Sequence, residues 1–393
     1  MRRILPNLFF ILSVVVGVTV INGQQPRPNP TPTPPGSQDQ EPIKVFTEEV
    51  RLPVVATDEF GRFDPTLSKV DILVQEDGVP QEISSVRRIP ASILMLLGTG
   101  NGPNPAVRLS TTRALALRLL RDLGSNDRVA LVQFGNKVEV LQDWTGNKIA
   151  FEDVLTNKLH SGNGSLLAPA IKAAAALLEK EPPGNRHLFL VTDGVDVPDG
   201  RAGYKELMAI LKPDVRQTAA DKAEWDAALQ ELMAAQATVH VVSYATYGLN
   251  VSKGKVKENQ EVPYLRPPDR PAGTDRPGKG YSGPTLDPMI VFDPSRRKLR
   301  KAYESAMNTA VPRLAALADE TGAKLRQPEN AGEMVDQADD VAREIGAQYV
   351  VTYQPKRPLS GSAPGEYRRI QVSTRRIGLQ LRTRRGYVVT RQN

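Results

Sequence analysis

Apolar and polar positions along the chain follow two rhythms, and the change from one to the other marks its organisation. Val50, Leu52, Val54 and Ala56 recur at every second residue, the period of a strand with one buried face. DEFG at 58–61 predicts a turn, and ILVQEDGVPQEISSV at 72–86 predicts two strands closed tightly at Asp77-Gly78. From Ala91 the rhythm changes. SILMLL at 92–97 is apolar throughout, as a strand buried on both faces must be, and 109–123 carries leucines at helical spacing. RVALVQF (128–134) and KVEVL (137–141) predict a second and a third strand across the short Gly135-Asn136 turn. Further helices are predicted over 166–178, 220–235, about 310–319 and 333–345, and further strands at HLFLVT (187–192), TVHVVSY (238–244), AKLRQP (323–328) and 349–353. Strand period returns in 367–389, where Ile370, Val372 and Thr374, then Leu379, Leu381 and Thr383, alternate with Arg and Gln.

Strands joined by crossover helices predict an α/β domain at 90–354: a doubly wound, mostly parallel sheet with helices on both faces and ligands met at the carboxyl ends of the strands. Within it, 247–300 is rich in Pro, Gly, Lys and Arg and is expected to be a long disordered loop. The β pieces at 43–89 and 355–393 each lack the strands to close a core. They are expected to pack together as one small β-sandwich, the second contributing an Arg-rich hairpin, with the α/β domain inserted between them.

Composition refines this picture. The chain has 393 residues, 40% hydrophobic and 24% charged, enough for two or three compact units. Arg2 and Arg3 precede an apolar stretch at 8–21 that ends near Gly23, the pattern of a signal peptide over 1–23 and of a secreted, periplasmic or envelope protein; an uncleaved anchor is the alternative. Residues 24–42 are Pro-rich with almost nothing apolar and are expected to form a disordered tether. No cysteine is present, which excludes disulfides and thiolate metal sites and, for an exported chain of this size, points to a bacterial source. The net charge of +7 is concentrated in 354–393, where ten Lys or Arg face a single acid, Glu366. Arg369, Arg375, Arg382 and Arg384 fit the wet face of half-buried strands; the other reading is a polyanion site. No aromatic residues interleave with these arginines, so nucleic acid is not expected as a partner.

Candidate chemistry lies at the strand ends. The run Gly98-Thr99-Gly100-Asn101-Gly102 follows the buried strand, yet its GxGxG spacing is not GxGxxG, and no Lys-Ser/Thr or ribose-binding acid follows. Ser165 stands on a loop just before a helix, and Asp193 closes HLFLVTD. Asp196 and Asp199 do not match a calcium-loop spacing and read better as acids near a helix start. His160, His187 and His240 lie on separate segments, the last two on apolar strands where core histidines are expected, and no Ser-His-Asp pattern supports hydrolysis. Trp144 and Trp225 could pack in the core or anchor a partner.

The order of these features resembles a von Willebrand factor type A (VWA) domain. The resemblance covers about 91–354 and is carried by VQF (132–134), TDG (192–194), ETGAKL (320–325) and IGAQYVVTYQP (345–355). VVATDEFGRF, ILVQEDGVPQEI and YRRIQV resemble the flanks of exported bacterial VWFA-related proteins of the Acidobacterial type. The resemblance implies a metal-dependent adhesion site built from Asp-x-Ser-x-Ser, a Thr and an Asp. Here Gly98, Gly100 and Gly102 stand where the first Asp and the two Ser would be, Ser165 replaces the Thr, and Asp193 is kept. One carboxylate and one hydroxyl give little advantage over the hydration shell of Mg²⁺, so this remnant site is expected to bind metal weakly or not at all, with no other cofactor. The expected function is a non-enzymatic interaction module, meeting a protein partner at the cell envelope or outside it through Gly98, Thr99, Gly100, Asn101, Gly102, Ser165 and Asp193. The alternative is electrostatic binding of an anionic envelope polymer or membrane surface by the basic C-terminal segment or the long loop.

Overall fold

Successive residues of a strand point to opposite faces, so a strand apolar at every position needs a core on each side. The structure, a computed structural model, describes residues 48–101, 109–197, 204–212, 215–253, 255–256 and 294–389. The expected signal segment at 1–23 and tether at 24–42, Gly102, Asp199 and the middle of the 247–300 segment lie outside them.

The N-terminal part holds β1 (Val50–Thr57), a single 3-10 turn at Lys69–Asp71, β2 (Ile72–Glu76), β3 (Val79–Gln81) and β4 (Ile83–Arg87). Asp77 and Gly78 both take positive φ, at 48° and 80°, as the tight β2–β3 turn requires. The α/β domain follows with β5 (Ser92–Gly98), β6 (Gly100–Asn101), α1 (Leu109–Asp122), β7 (Arg128–Phe134), β8 (Val138–Thr145), α2 (Lys148–Asn157), β9 (Gly162–Asn163), α3 (Leu167–Leu178) and β10 (Arg186–Thr192). It continues through α4 (Tyr204–Leu211), α5 (Val215–Ala234), β11 (Thr238–Ser243), α6 (Ala245–Ser252), α7 (Pro294–Glu320), β12 (Leu325–Arg326) and α8 (Ala331–Ala347). The chain ends with β13 (Tyr349–Tyr353), β14 (Tyr367–Thr374), β15 (Gln380–Thr383) and β16 (Gly386–Val388).

The central sheet has the order β12-β11-β10-β5-β7-β8 and is parallel except for the β7–β8 pair. Ile93, Met95 and Leu97 of β5 enter one apolar layer with α1, α2 and α8, and Leu94 and Leu96 enter the other with α3, α5 and α7. Arg118 of α1 donates to both oxygens of Asp339 on α8 at 2.6 and 2.5 Å, locking those helices side by side. The expected doubly wound fold is present.

The strands at the two ends interleave in two antiparallel sheets, β15-β1-β13-β4 and β16-β14-β2-β3. Their inner faces share one cluster that includes Leu52, Val54, Val351 and Tyr353 from the first sheet and Val74, Ile370 and Tyr387 from the second. Glu76 is buried in it and accepts hydrogen bonds from Arg368 (2.7 Å), Tyr353 (2.7 Å) and Tyr387 (3.0 Å). Arg368, fully buried, also donates to the carbonyls of Arg357 and Pro358 and to Ser362.

Several expectations are corrected. The 367–389 run is not a simple hairpin: Gly378, at φ 79°, helps turn the chain away, so that β15 pairs with β1 in one sheet while β14 pairs with β2 and β16 in the other. Arg384 is not on a wet face. It is 3% exposed, donates to the Arg51 carbonyl (2.7 Å) and to Gln236 (3.1 Å), and lies over the Tyr387 ring; burial pushes its guanidinium down to about 10, still charged at neutral pH. Most neighbouring arginines are paired: Arg382 with Glu344, Arg376 with Asp64, and Arg385 with Asp319. Both ends of the expected 247–300 loop are helical. Buried Tyr247 holds α6 down, and α7 starts sixteen residues before the expected helix at 310 because Tyr303 and Met307 before Pro312, and Leu314 and Leu317 after it, anchor one continuous helix across the missing N–H.

His187 and His240 occupy core positions of β10 and β11. Their rings stack with centroids 5.3 Å apart, and the Asn185 amide donates to the Ile89 carbonyl, which turns its oxygen toward His187 Nε2 (2.9 Å). His187 Nε2 is therefore the donor there, His187 Nδ1 accepts from His240 Nε2 at 3.0 Å, and both rings are neutral. Burial drives both pKa values well down; the neighbouring ring adds to this at His187 against an opposing pull from Glu344, and Arg326 and Arg382 add to it at His240.

Two predictions follow from these buried groups. Because the unfolded chain protonates both histidines near pH 6.5 and the folded chain does not, the pair lowers stability as pH falls below that value, by up to roughly 3 kcal/mol per pH unit, against an opposing gain from Asp196, whose carboxyl burial pushes up to about 7. Urea midpoints between pH 7.5 and 5.5 should show this slope, and His240→Gln should flatten it; an equal slope in that variant contradicts the assignment. In the β-sheets, Glu76→Leu should lower the unfolding free energy by about 3–5 kcal/mol by stranding Arg368, and Glu76→Leu with Arg368→Met should be less damaging than the single change.

Candidate functional site at the carboxyl edge of the sheet

Parallel strands β5 and β10 are neighbours, with Leu97 opposite Val191, so the loops that follow them meet at one edge of the sheet. Gly98 is hemmed in: a Cβ there would meet the Val191 carbonyl oxygen at 2.8 Å and the Phe134 ring at 3.1 Å. Thr99 donates its N–H to the Phe134 carbonyl (3.0 Å) and is 2% exposed, with no hydrogen-bond partner for its hydroxyl among the described residues. Gly100 and Asn101 then pair in parallel with Gly162 and Asn163 of the second loop. The approach is so close that a Cβ on Gly100 would stand 1.5 Å from the Gly164 carbonyl oxygen. Gly164 itself takes φ 69°, a left-handed conformation suited to glycine.

The second loop is tied in turn to the third. Ser165, half-buried, exchanges backbone hydrogen bonds with Val197 at 2.7 and 3.1 Å. Asp193 is 5% exposed and accepts from the Val195 N–H (3.0 Å) and the Tyr303 hydroxyl. Burial raises its pKa, and these hydrogen bonds work against the rise. The phenol of buried Tyr244 is pushed well up by burial and by the Asp193 charge. Asp196 accepts from the Leu167 N–H at the start of α3, which is where an acid favours the helix dipole.

The structure thus joins Gly98, Gly100, Asn101, Ser165 and Asp193 through three linked loops, while Gly102 lies outside the described residues. Sequence reasoning missed Tyr303, which reaches Asp193 from 110 residues further on. Its only signal was an isolated tyrosine upstream of the expected helix. His187 and His240 are core residues below the edge, and His160 hydrogen-bonds Gln133 and the Lys158 carbonyl.

Among the described residues, this edge offers few side-chain oxygens to a divalent cation. Mg²⁺ asks for six oxygens in a near-octahedral array. Gly98 and Gly100 supply no side-chain oxygen and have no room for one, and the Asp193 carboxylate is already held by Tyr303 and Val195. Among the described residues no three His, Asp or Glu side chains cluster to hold a metal.

A parallel-centred, doubly wound sheet whose carboxyl edge gathers three loops defines a fold rather than a chemistry. The model of the von Willebrand factor type A domain matches residues 95–195, the stretch from β5 to the loop after β10. No curated protein matches. Among solved structures, the conserved hypothetical protein BatB from Bacteroides thetaiotaomicron is 18% identical over 39% of this chain and 66% of its own, with a TM-score of 0.27. The vWF domain of the type V pili tip protein Mfa5 from Porphyromonas gingivalis is 20% identical over 28% of this chain and 40% of its own, at 0.26. These two matches each span less than two thirds of the other chain. A von Willebrand factor type A protein from Catenulispora acidiphila is 10% identical over 83% of this chain and 74% of its own, at 0.39.

Adding side-chain oxygens at Gly98 and Gly100 should fail for lack of space. Gly98→Asp with Gly100→Ser is expected to lower the melting temperature and to give no saturable Mg²⁺ binding by calorimetry; a stable variant that binds Mg²⁺ would show that the loops can open. Tyr303→Phe, which removes one partner of a buried carboxylate, should cost about 1–3 kcal/mol in urea titration.

Proposed function

We propose that the chain is a non-enzymatic protein-interaction module that meets its partner at the carboxyl edge of the VWA sheet without a metal ion. The observation that carries this reading is the pairing of Gly100 with Gly162 and of Ser165 with Val197, which fixes three loops into one surface. A preformed surface of this kind loses little conformational freedom on binding, so it needs no cation to organise it. Asp193 serves that surface from beneath, through Tyr303 and Val195, rather than as a ligand. The apolar stretch after Arg2 and Arg3 supports an exported protein with its partner at the envelope or beyond. Among the described residues no helix is long and apolar enough to cross a membrane. The polymer-binding alternative is weakened because Arg368, Arg376, Arg382 and Arg385 are engaged with Glu76, Asp64, Glu344 and Asp319.

The test is capture of envelope proteins by the full chain. Capture should be indifferent to EDTA and to 0–5 mM Mg²⁺, roughly the range over which weak extracellular metal sites fill, and should be lost in Ser165→Arg. Dependence on magnesium, or undiminished capture by Ser165→Arg, would overturn the reading.

A further inference from the structure

The end sheet β16-β14-β2-β3 has one face on its apolar core and the other in water. Burial alternates along β14: Arg368, Ile370 and Val372 turn inward, and Tyr367, Arg369, Gln371 and Ser373 turn outward. Register adds their neighbours. Gln371 stands opposite Gln75, so two amides lie side by side on the outer face, and Ser373 stands opposite Leu73, which is 39% exposed. Among the described residues, Arg369 is the only charged side chain at an outward position of these four strands. Asp77, at the β2–β3 turn beside it, is taken by Arg357 and by the Arg369 backbone N–H.

The strand partner of Tyr367 is Val388, yet its ring reaches diagonally over Gly386, the residue opposite Arg369. A Cβ on Gly386 would stand 2.4 Å from the ring atom Cζ and from the hydroxyl oxygen. Only glycine therefore lets the ring lie down across the two strands, the way aromatic side chains cover glycines on edge strands. Glu320 accepts the hydroxyl at 3.4 Å. Burial and the Glu320 carboxylate push the phenol pKa up, against Arg369 and Arg385, so the ring stays uncharged. Tyr367 is 45% exposed, which leaves the upper side of the ring open to solvent.

A face of this kind discriminates between ligand chemistries. It offers no carboxylate at its outward positions to hold a cation, a single guanidinium is little for a polyanion, and one aromatic platform does not make a track for successive nucleic-acid bases. A sugar ring matches it. One side of the ring is apolar C–H and packs on an aromatic face, and its rim of hydroxyls both donates and accepts. A glutamine amide also donates and accepts, and a guanidinium fork spans two neighbouring oxygens. Outward residues of a strand repeat about every 7 Å, so Tyr367, Arg369 and Gln371 form a straight row along which linked sugars can lie.

We propose that the outer face of this sheet binds an uncharged glycan chain, with Tyr367 as the stacking platform and Arg369, Gln371 and Gln75 as hydrogen-bonding partners of the sugar hydroxyls. The face uses none of the three loops at the carboxyl edge of the central sheet, so it does not depend on the protein-interaction reading. It also differs from anionic-polymer binding, since ring stacking and amide contacts carry it rather than charge.

The experiment is calorimetric titration of the full chain with cellohexaose, maltohexaose and chitohexaose, and with tetragalacturonate as the charged comparison, at low and at high salt. At least one neutral hexaose should bind saturably, with an affinity that salt leaves unchanged. Tyr367→Ala should weaken that binding at least tenfold while Tyr367→Phe preserves it, because stacking needs the ring and not the hydroxyl, and Gln371→Ala should weaken it severalfold. Both side chains are exposed, and melting curves check that the variants fold. Absence of saturable binding by every neutral hexaose, undiminished binding in Tyr367→Ala, or an equal loss in Tyr367→Phe would each refute the assignment. So would tighter, salt-sensitive binding of tetragalacturonate, which would make the face a polyanion site.

Discussion

Strand β5 has no wet side, and the rest of the molecule is arranged to satisfy that constraint. All seven of its residues are buried, so an amphipathic helix on one face alone would leave three large side chains in water. Burying each Leu, Ile or Met is worth about 1.5–3 kcal/mol. The answer is a helical layer on each side, with α1 and α8 against one and α3, α5 and α7 against the other. Parallel neighbours on both sides of β5 follow, because crossover helices return the chain to the same end of the sheet. The loops leaving β5 and β10 consequently emerge together at one edge, and the candidate site is a by-product of how the central strand is covered.

Buried charge is the second organising feature, and it sits where sequence-distant pieces join. Glu76 comes from β2, yet its partners lie on β13, β14 and β16. Glu344 on α8 receives Arg326 of β12 and Arg382 of β15, so one carboxylate links the α/β domain to an end sheet. Such pairs add little net stability over apolar packing, but a wrong register would strand a charge in the core. For strands of three to eight residues from opposite ends of a chain, that penalty distinguishes correct pairing from slippage, which apolar alternation alone cannot do.

The fold was legible wherever a single periodicity governed a segment. The strands at 92–98, 128–134, 186–192 and 238–243 stand out as short runs rich in Leu, Val, Ile and Phe, and Asp77-Gly78 is readable because its turn demands positive φ. The errors occurred where tertiary contacts overrule local pattern. Pro312 hides the continuity of α7, which only its buried side chains reveal. Arg384 reads as a wet-face residue because its carbonyl partner, Arg51, is more than 300 residues away. At the site, Ser165 and Asp193 could be singled out from their positions at loop and strand ends. Tyr303 could not, because nothing local couples it to Asp193.

The glycines of the opening loop are held by how closely the neighbouring backbone approaches them. Absent ligands alone would leave an open pocket that water could fill. Here the space has closed: the Gly164 carbonyl occupies the position from which any side chain at residue 100 would start, and the Val191 carbonyl does nearly the same at residue 98. Backbone stands where side chains at these positions would reach, and the exchanged N–H and carbonyl bonds between the loops hold them together. The consequence runs to the carboxylate below. The buried Asp193 below these loops takes an N–H from Val195 and a hydroxyl that Tyr303 brings from α7. The close-packed loops above and the α7 hydroxyl below together satisfy a buried acid from within the chain, which removes the cost of leaving it without donors.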